Sequence, residues 1–277
     1  MNDYYLLLAP ILTLLIVALV GFVGCSFTHG VVTDPLPFDG PHNIYVRPGD
    51  SFVDVTWDLV TGATSYLVKH GTVSGDYSSE HEVQNVLTLH DDDVINGTRY
   101  YFAVTAKRGS AKSGLSPEAW AVPATSLITS TTNGSVQLTL DGWIGMGFET
   151  AQQLTVHRLG RYWEDNKLSM TIKLQLVNGG IRTDVPGGAC TVVFDNVEPD
   201  GFNYAYLPQP ITLLANSQYF LLCQAIPGEK YYDAINSTVT TTAAVTRVFP
   251  VYADAADTYV SNLNGHIYGP VNFTYSL

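Results

Sequence analysis

The chain has 277 residues, which exceeds one ordinary domain and suits an N-terminal segment followed by two modules. Its formal net charge is −12, and its 13 Lys and Arg residues are scattered without a basic stripe, so a nucleic-acid partner is excluded. Only 14 % of the residues are charged, while Gly, Thr, Val and Tyr are abundant. This composition predicts an all-β fold class for the folded part of the chain.

The N-terminal segment is almost continuously apolar from Tyr4 to Gly24, with Thr13 as its only clearly polar residue. A run of about 20 apolar residues is long enough to cross a bilayer as a helix. The sequence therefore predicts an N-terminal membrane helix within residues 1–25. A short linker over residues 26–40, mixed in Pro, Gly and Asp, follows it.

Two other interpretations of residues 1–25 stay open. The residues Phe22-Val23-Gly24-Cys25 resemble a bacterial lipobox, which would make Cys25 the lipidated residue of a lipoprotein. A cleaved secretory signal is less consistent with the chain, because no Lys or Arg precedes Arg47. Each interpretation predicts that both following domains lie outside the cytoplasm, in the periplasm or at the cell surface, and the first two also anchor them to the membrane.

Residues 41–123 contain short runs that alternate between apolar and polar residues and are separated by turn residues. This pattern predicts a β-sandwich. The strands are expected at Ser51–Trp57, Ser65–His70, Val83–Leu89 and Tyr100–Ala106.

The same residues resemble a fibronectin type III domain. The resemblance implies that Trp57 and Tyr66 are core residues and that Tyr100 is the tyrosine-corner residue, whose hydroxyl bonds back to the preceding turn. Asn96-Gly97 stands where the family usually has Pro-Gly. The resemblance rests on the Trp57 strand, Gly62-Ala63-Thr64-Ser65-Tyr66, Val94-Ile95-Asn96-Gly97-Thr98-Arg99-Tyr100 and Ser113-Gly114-Leu115-Ser116-Pro117 through Pro123.

Residues 126–277 again show strand-like runs between turn clusters, and no apolar period of 3.6 residues persists for ten residues. The pattern predicts a second, jelly-roll-like β-sandwich. Parts of it are similar to an uncharacterised sandwich domain of bacterial surface proteins, which implies carbohydrate or protein binding. These parts are Gly147-Phe148, Leu159-Gly160-Arg161-Tyr162, Lys173-Leu174-Gln175-Leu176, Gly201-Phe202-Asn203-Tyr204, Pro210-Ile211-Thr212-Leu213 and Tyr219.

Cys190 and Cys223 lie in separate strand-like runs of this second domain. They form one disulfide if the compartment is oxidising, or two buried thiols, since a free cysteine behaves as a small hydrophobic residue. Both alternatives are consistent with the sequence.

Few residues suggest specific chemistry. The seven histidines are dispersed, and neither HExxH nor GxSxG occurs, so no enzyme and no cofactor are expected. Asp91, Asp92 and Asp93 are candidate Ca²⁺ ligands, although three adjacent carboxylates are more typical of a solvated turn. Trp163, Tyr231 and Tyr232 are candidate binding residues, because they stand beside turn residues in an aromatic-rich domain.

These observations favour a non-enzymatic structural or interaction protein. The first hypothesis is an accessory subunit that docks on a larger membrane complex through its helix and sandwiches. The alternative is a surface lipoprotein or adhesin that binds carbohydrate through residues 126–277.

Overall fold

A computed structural model describes residues 38–277, except residues 163–168, 226, 229 and 254–257. The described residues belong to one compact unit, Leu36–Leu277, and their regular elements are all β-strands. The strands are β1 Ile44–Pro48, β2 Val53–Trp57, β3 Ser65–Gly71, β4 Ser79–Gln84, β5 Thr88–Asp91, β6 Tyr100–Arg108, β7 Ala111–Leu115, β8 Ala119–Ala121, β9 Thr125–Ser126, β10 Ile128–Thr132, β11 Val136–Gln137, β12 Gly142–Thr150, β13 Leu154–Tyr162, β14 Ser169–Asn178, β15 Ile181–Val193, β16 Phe202–Leu213, β17 Gln218–Ala225, β18 Tyr231–Tyr232, β19 Thr238–Thr241, β20 Val245–Ala253, β21 Thr258–Val260 and β22 Val271–Ser276.

The N-terminal membrane helix requires a correction. Within the described ranges no helix is long and apolar enough to cross a membrane. This finding overturns the helix in the predicted fold class, and with it the membrane-anchored localisation that depended on the helix. Residues 1–25, including Cys25, and most of the predicted linker lie outside the described residues.

The first sandwich packs a three-stranded sheet, in the order β1-β2-β5, against a sheet in the order β4-β3-β6-β7, with β8 also paired to β6. Alternation along β2 and β3 directs one set of side chains into the space between the sheets. Trp57, Tyr66 and Tyr100 all lie in this core, with exposures of 5 %, 0 % and 7 %. Their positions agree with the core roles that the fibronectin resemblance implies.

Two tyrosine hydroxyls join the core of the first sandwich to its turns. The hydroxyl of Tyr100 accepts a hydrogen bond from the amide of Ile95 at 3.2 Å. The hydroxyl of Tyr66 accepts one from the amide of Val60 at 3.0 Å. Gly97 has a φ of 84°, a conformation that glycine adopts without strain and that closes the turn before Tyr100.

The second sandwich packs a six-stranded sheet, β15-β14-β17-β12-β20-β21, against a four-stranded sheet, β16-β13-β22-β9. All neighbouring strands in both sheets are antiparallel. Fully buried side chains from both sheets, such as Met146, Phe148 and Phe273, fill the interior. This core is separate from the core of the first sandwich.

Polar and aromatic contacts join the two sandwiches. The amide of Val122 donates a hydrogen bond to the hydroxyl of Tyr206 at 3.0 Å. The ring of Tyr206 lies 4.6 Å from the ring of Trp120, measured between centroids, and the guanidinium of Arg99 lies 4.1 Å above Trp120. We call these residues the junction.

Candidate ligand-binding groove

The outer face of the six-stranded sheet carries an apolar cluster of its own. Alternation along the strands directs Met146, Leu221 and Val248 into the interior, so their neighbours point outward. The outward residues are nonetheless buried, because they pack against one another across the face. The cluster consists of Phe220, Leu222, Phe249 and Val251, with Trp143 and Val177 packed against it.

Glycine on the central strand β12 allows this layer to form. A Cβ atom on Gly147 would lie 2.2 Å from the ring of Phe249, closer than any real Cβ contact. The Phe249 ring can therefore occupy this place only because position 147 has no side chain. The rings of Phe249 and Phe220 pack edge to face, with centroids 6.3 Å apart and an interplanar angle of 85°.

Beside this cluster the outer face is hollowed into a groove. It consists of two adjoining hollows of about 480 Å³ and about 470 Å³, which share Gly180 and Arg182 of the β14–β15 hairpin. Volumes of this size are typical of sites for small organic groups. The first hollow is lined by Trp143, Lys173, Gln175, Gly180, Arg182, Leu222 and Ala253, and the second by Val177, Gly180, Arg182, Gln218, Phe220, Thr258 and Val260.

Polar groups on β14 and β15 form a small network at one wall of the groove. The carboxylate of Asp184 accepts a hydrogen bond from Nε2 of Gln175 at 2.6 Å and lies 3.2 Å from Nζ of Lys173. The hydrogen bond from Gln175 lowers the pKa of Asp184; burial opposes this shift, and Lys173 adds to it. Nζ of Lys173 also lies 4.3 Å above the ring of Trp143.

The network leaves one acceptor unused. Gln175 is only 9 % exposed, yet its Oε1 accepts no hydrogen bond from any described residue. A buried amide oxygen without a partner costs about 1–3 kcal/mol, so such atoms usually have a partner. The exposed side chain of Arg182 adds hydrogen-bond donors to the same hollow. The groove therefore combines an aromatic ring, an unused buried acceptor and a cationic donor.

The binding residues proposed from the sequence do not lie in this groove. Tyr231 is buried, with 5 % exposure, and Tyr232 is half-buried with its ring 6.2 Å from that of Tyr162. Trp163 lies outside the described residues. Strand β18 is paired with β11, and the side chain of Tyr231 packs in the core of the second sandwich. The useful signal was the run Gly142–Phe148, in which Trp143 shares an outward face with two glycines.

Cys190 and Cys223 are both held as thiols. Each pairs with Ile172 of β14, Cys190 from β15 and Cys223 from β17, so a whole strand separates them. Two strand spacings amount to about 10 Å, beyond the Cα separation of about 7 Å that a disulfide tolerates. Burial raises the pKa of Cys190 to about 11.

The three candidate calcium ligands do not converge on one point. Asp91 is buried at the end of β5, whereas Asp92 and Asp93 are exposed. One carboxylate oxygen of Asp91 accepts the amide of Asp93 at 3.1 Å, and the other lies 2.5 Å from Nδ1 of His70. Burial raises the pKa of Asp91, but the hydrogen bond and charge of His70 outweigh it, so the net shift is downward. The side chain of Asp91 is thus paired with the side chain of His70 and with the backbone amide of Asp93.

Comparisons with known proteins find partial similarity. The chain is 36 % identical over 88 residues to an amylopullulanase of Thermoanaerobacterium thermosulfurigenes, covering 30 % of this chain and 5 % of that protein. It is 39 % identical over 107 residues to an amylopullulanase of Thermoanaerobacter thermohydrosulfuricus, covering 38 % of this chain and 7 % of that protein. The chain thus spans less than a tenth of the length of these relatives. No family model matches the chain.

Solved fibronectin type III structures are among the similar folds. An Fn3-like protein from Clostridium thermocellum is 28 % identical, with 29 % of this chain and 88 % of that chain covered and a TM-score of 0.27. The first sandwich has two packed sheets, a buried Trp57 and the hydrogen bond from the amide of Ile95 to Tyr100, as fibronectin type III domains have. It therefore resembles a fibronectin type III domain, and a second antiparallel β-sandwich follows it.

Proposed function

We propose that the chain is a non-enzymatic binding protein whose second sandwich holds a polysaccharide in the groove on its six-stranded sheet. The observation that carries the proposal is a hollow lined by Trp143, Gln175 and Arg182, in which the Gln175 side chain has an unused acceptor, its Oε1. Oε1 is buried, so a rotation of the Gln175 amide is needed to present it to a sugar hydroxyl, which can also accept a hydrogen bond from Arg182.

The aromatic ring gives the groove its preference for a sugar over a simple polar solute. The apolar face of a pyranose packs against an aromatic face, and Trp143 is the half-buried tryptophan of this surface. A pyranose that stacks there takes the place of the Lys173 ammonium group. The flexible stem of Lys173 allows that group to turn aside.

The relatives support the same class of ligand. Both are amylopullulanases, and this chain matches only a small fraction of each. A non-catalytic accessory role for the chain is consistent with that partial coverage. Starch and pullulan are accordingly the first ligands to test, followed by cellulose, xylan and chitin.

The test measures migration of the full chain in native gels that contain each soluble polysaccharide, and co-sedimentation with each insoluble one. We expect retention by at least one polysaccharide, and at least ~10-fold weaker binding for Trp143→Ala and Gln175→Leu, since a central aromatic anchor contributes about 2 kcal/mol or more. Tyr101→Ala, a half-exposed aromatic of the first sandwich, is the matched control and should bind like the wild type.

Two outcomes would contradict the proposal. The first is that no polysaccharide of the panel retards or sediments the folded chain. The second is that Trp143→Ala binds as tightly as Tyr101→Ala. Far-ultraviolet circular dichroism and the unfolding temperature of each variant show whether a loss of binding reflects a loss of fold.

A further inference from the structure

Three side chains that are far apart in sequence meet at one end of the first sandwich. They are His70 on β3, His81 on β4 and Asp91 at the end of β5. Their ligand atoms all lie within 4.8 Å of one another. Since β5 belongs to the other sheet, the cluster joins the two sheets of the sandwich.

The strand pairing explains why the two histidines share a face. His70 is paired with Ser79, and Val68 with His81, so His81 is the diagonal neighbour of His70 on the hairpin. Diagonal side chains on one face are within reach of each other. Asp91 approaches from the opposite sheet, where it is paired with Val53 of β2.

The cluster is rigid on one side and open on the other. The side chains of His70 and Asp91 are 5 % and 1 % exposed. The rings of Tyr100 and Phe102 pack edgewise on His70, with centroids 5.4 Å and 5.7 Å away. The side chain of His81 is 37 % exposed, which provides a route from solvent.

From this arrangement we propose that His70, His81 and Asp91 bind a zinc ion. Two imidazole nitrogens and one carboxylate oxygen form a donor set that Zn²⁺ accepts, and the fourth position then belongs to water at the open side of His81. Calcium is a poor fit, because it requires six to eight oxygen ligands.

The distances are close to those that zinc requires. Zinc–nitrogen and zinc–oxygen bonds of about 2.0–2.2 Å at tetrahedral angles place donor atoms about 3.4 Å apart. The separation is 2.5 Å between His70 Nδ1 and Asp91 Oδ2 and 3.9 Å between His81 Nε2 and Asp91 Oδ1. To reach about 3.4 Å, the first pair must separate by about 0.9 Å and the second must approach by about 0.5 Å, with the carboxylate turning because the two contacts use different oxygens. The partly exposed His81 meets solvent on its outer side.

Isothermal titration calorimetry of the full chain with ZnCl₂, on protein purified without a histidine tag, tests the proposal. We expect one zinc ion per chain with micromolar or tighter affinity, and a higher unfolding temperature in its presence, because an ion that binds only the folded state stabilises that state. Cobalt should give the visible absorption of a four-coordinate site.

His81→Ala is the principal variant, since His81 is partly exposed and its removal leaves the core intact. Loss of an outer-shell partner already weakens metal binding 10–100-fold, so loss of this direct ligand should weaken it at least ~100-fold. His90→Ala is the matched control: it is 60 % exposed, contacts Asp54 at 2.6 Å and immediately precedes Asp91. Asp91→Asn, which keeps the shape of the side chain, should also lose zinc.

Three results would show that His70, His81 and Asp91 lie close together without binding zinc. Unchanged zinc affinity in His81→Ala, equal losses in His81→Ala and His90→Ala, or no stoichiometric binding by the folded wild type would each overturn the proposal. The groove takes no part in this measurement, so the zinc result and the polysaccharide result are independent of each other.

Discussion

The outer faces of the two sandwiches differ in how they meet solvent. On the first, charged side chains pair across strands: Lys69 pairs with Glu80 of the neighbouring strand at 2.9 Å, and Lys107 of β6 pairs with Glu82 of β4, across β3, at 2.6 Å. On the second, the corresponding face of the six-stranded sheet holds the apolar cluster around Phe249 and the adjoining groove. Exposed ion pairs contribute little to stability, but they keep a face soluble and closed to ligands. A concave face with an apolar layer retains surface for binding.

The difference suggests a division of labour. We propose that the first sandwich serves as a spacer and scaffold and that the second sandwich makes the contact with the ligand. Four predictions test this division, ordered from the largest expected effect to the smallest.

Truncation of Trp57 to Ala should destabilise the first sandwich and leave ligand binding in the groove unchanged. Large aromatic deletions from a core cost about 3–5 kcal/mol. Urea unfolding followed by circular dichroism should show this loss, while polysaccharide binding under native conditions should equal that of the wild type. Leu59→Ala, at a position with 64 % exposure, is the control and should change stability by less than about 0.5 kcal/mol. Loss of polysaccharide binding in Trp57→Ala would contradict the division of labour.

Replacing Tyr206 by Phe should weaken the junction. The ring that packs on Trp120 remains, but the amide of Val122, a residue with 6 % exposure, loses its acceptor. A buried donor without a partner costs about 1–3 kcal/mol. The denaturation midpoint and the rate of limited proteolysis around residues 119–127 measure the effect. Tyr45→Phe, which removes the exposed contact between Tyr45 and Asn196, is the control and should have little effect.

Each sandwich has a tyrosine hydroxyl that accepts a hydrogen bond from a backbone amide five residues upstream, and we expect the two bonds to contribute equally to stability. Tyr219 of the second sandwich accepts the amide of Leu214 at 2.9 Å, five residues upstream, as Tyr100 accepts that of Ile95. Tyr100→Phe and Tyr219→Phe should each cost about 0.5–1.5 kcal/mol, the net value of one hydrogen bond. The double variant should show additive losses, since the sites share no partners. A large difference between the two would mean that the turns contribute unequally.

The smallest effect concerns pH. The pKa of Asp184 is lowered from 3.8 in the folded chain, first by the hydrogen bond from Gln175. A lowered pKa means stabilisation that is fully present above about pH 4 and is lost as the pH falls through the folded value. The stability advantage of the wild type over Asp184→Asn should therefore be below about 1 kcal/mol, constant from pH 5 to 8, and absent under strongly acidic conditions. Urea unfolding across this range measures it. In Gln175→Leu the dependence should shrink, and an advantage that grows with acid would contradict the assignment.

The sequence alone determined the features that depend on neighbouring residues. Period-two alternation predicted strands at Ser51–Trp57 and Tyr100–Ala106, and the structure has them at Val53–Trp57 and Tyr100–Arg108, because successive side chains on a strand point to opposite faces. The tyrosine corner was implied by the fibronectin resemblance, and its partner Ile95 is only five residues from Tyr100. Alternation together with turn residues was sufficient to predict an all-β fold.

Only the tertiary structure decided which strands became neighbours. The groove brings Trp143 of β12 beside Lys173 of β14 through the intervening strand β17, and alternation along one strand contains no information about that order. The cluster of His70, His81 and Asp91 combines two strands of one sheet with the end of a strand in the other. In the sequence Asp91 stands only beside Asp92 and Asp93, and the two histidines that lie near it in the fold are 10 and 21 residues away. The sequence likewise left open whether Cys190 and Cys223 form a disulfide, and the sheet order separates them because β14 lies between their strands. Local periodicity determines the face on which a side chain lies, whereas long-range pairing determines what that face meets.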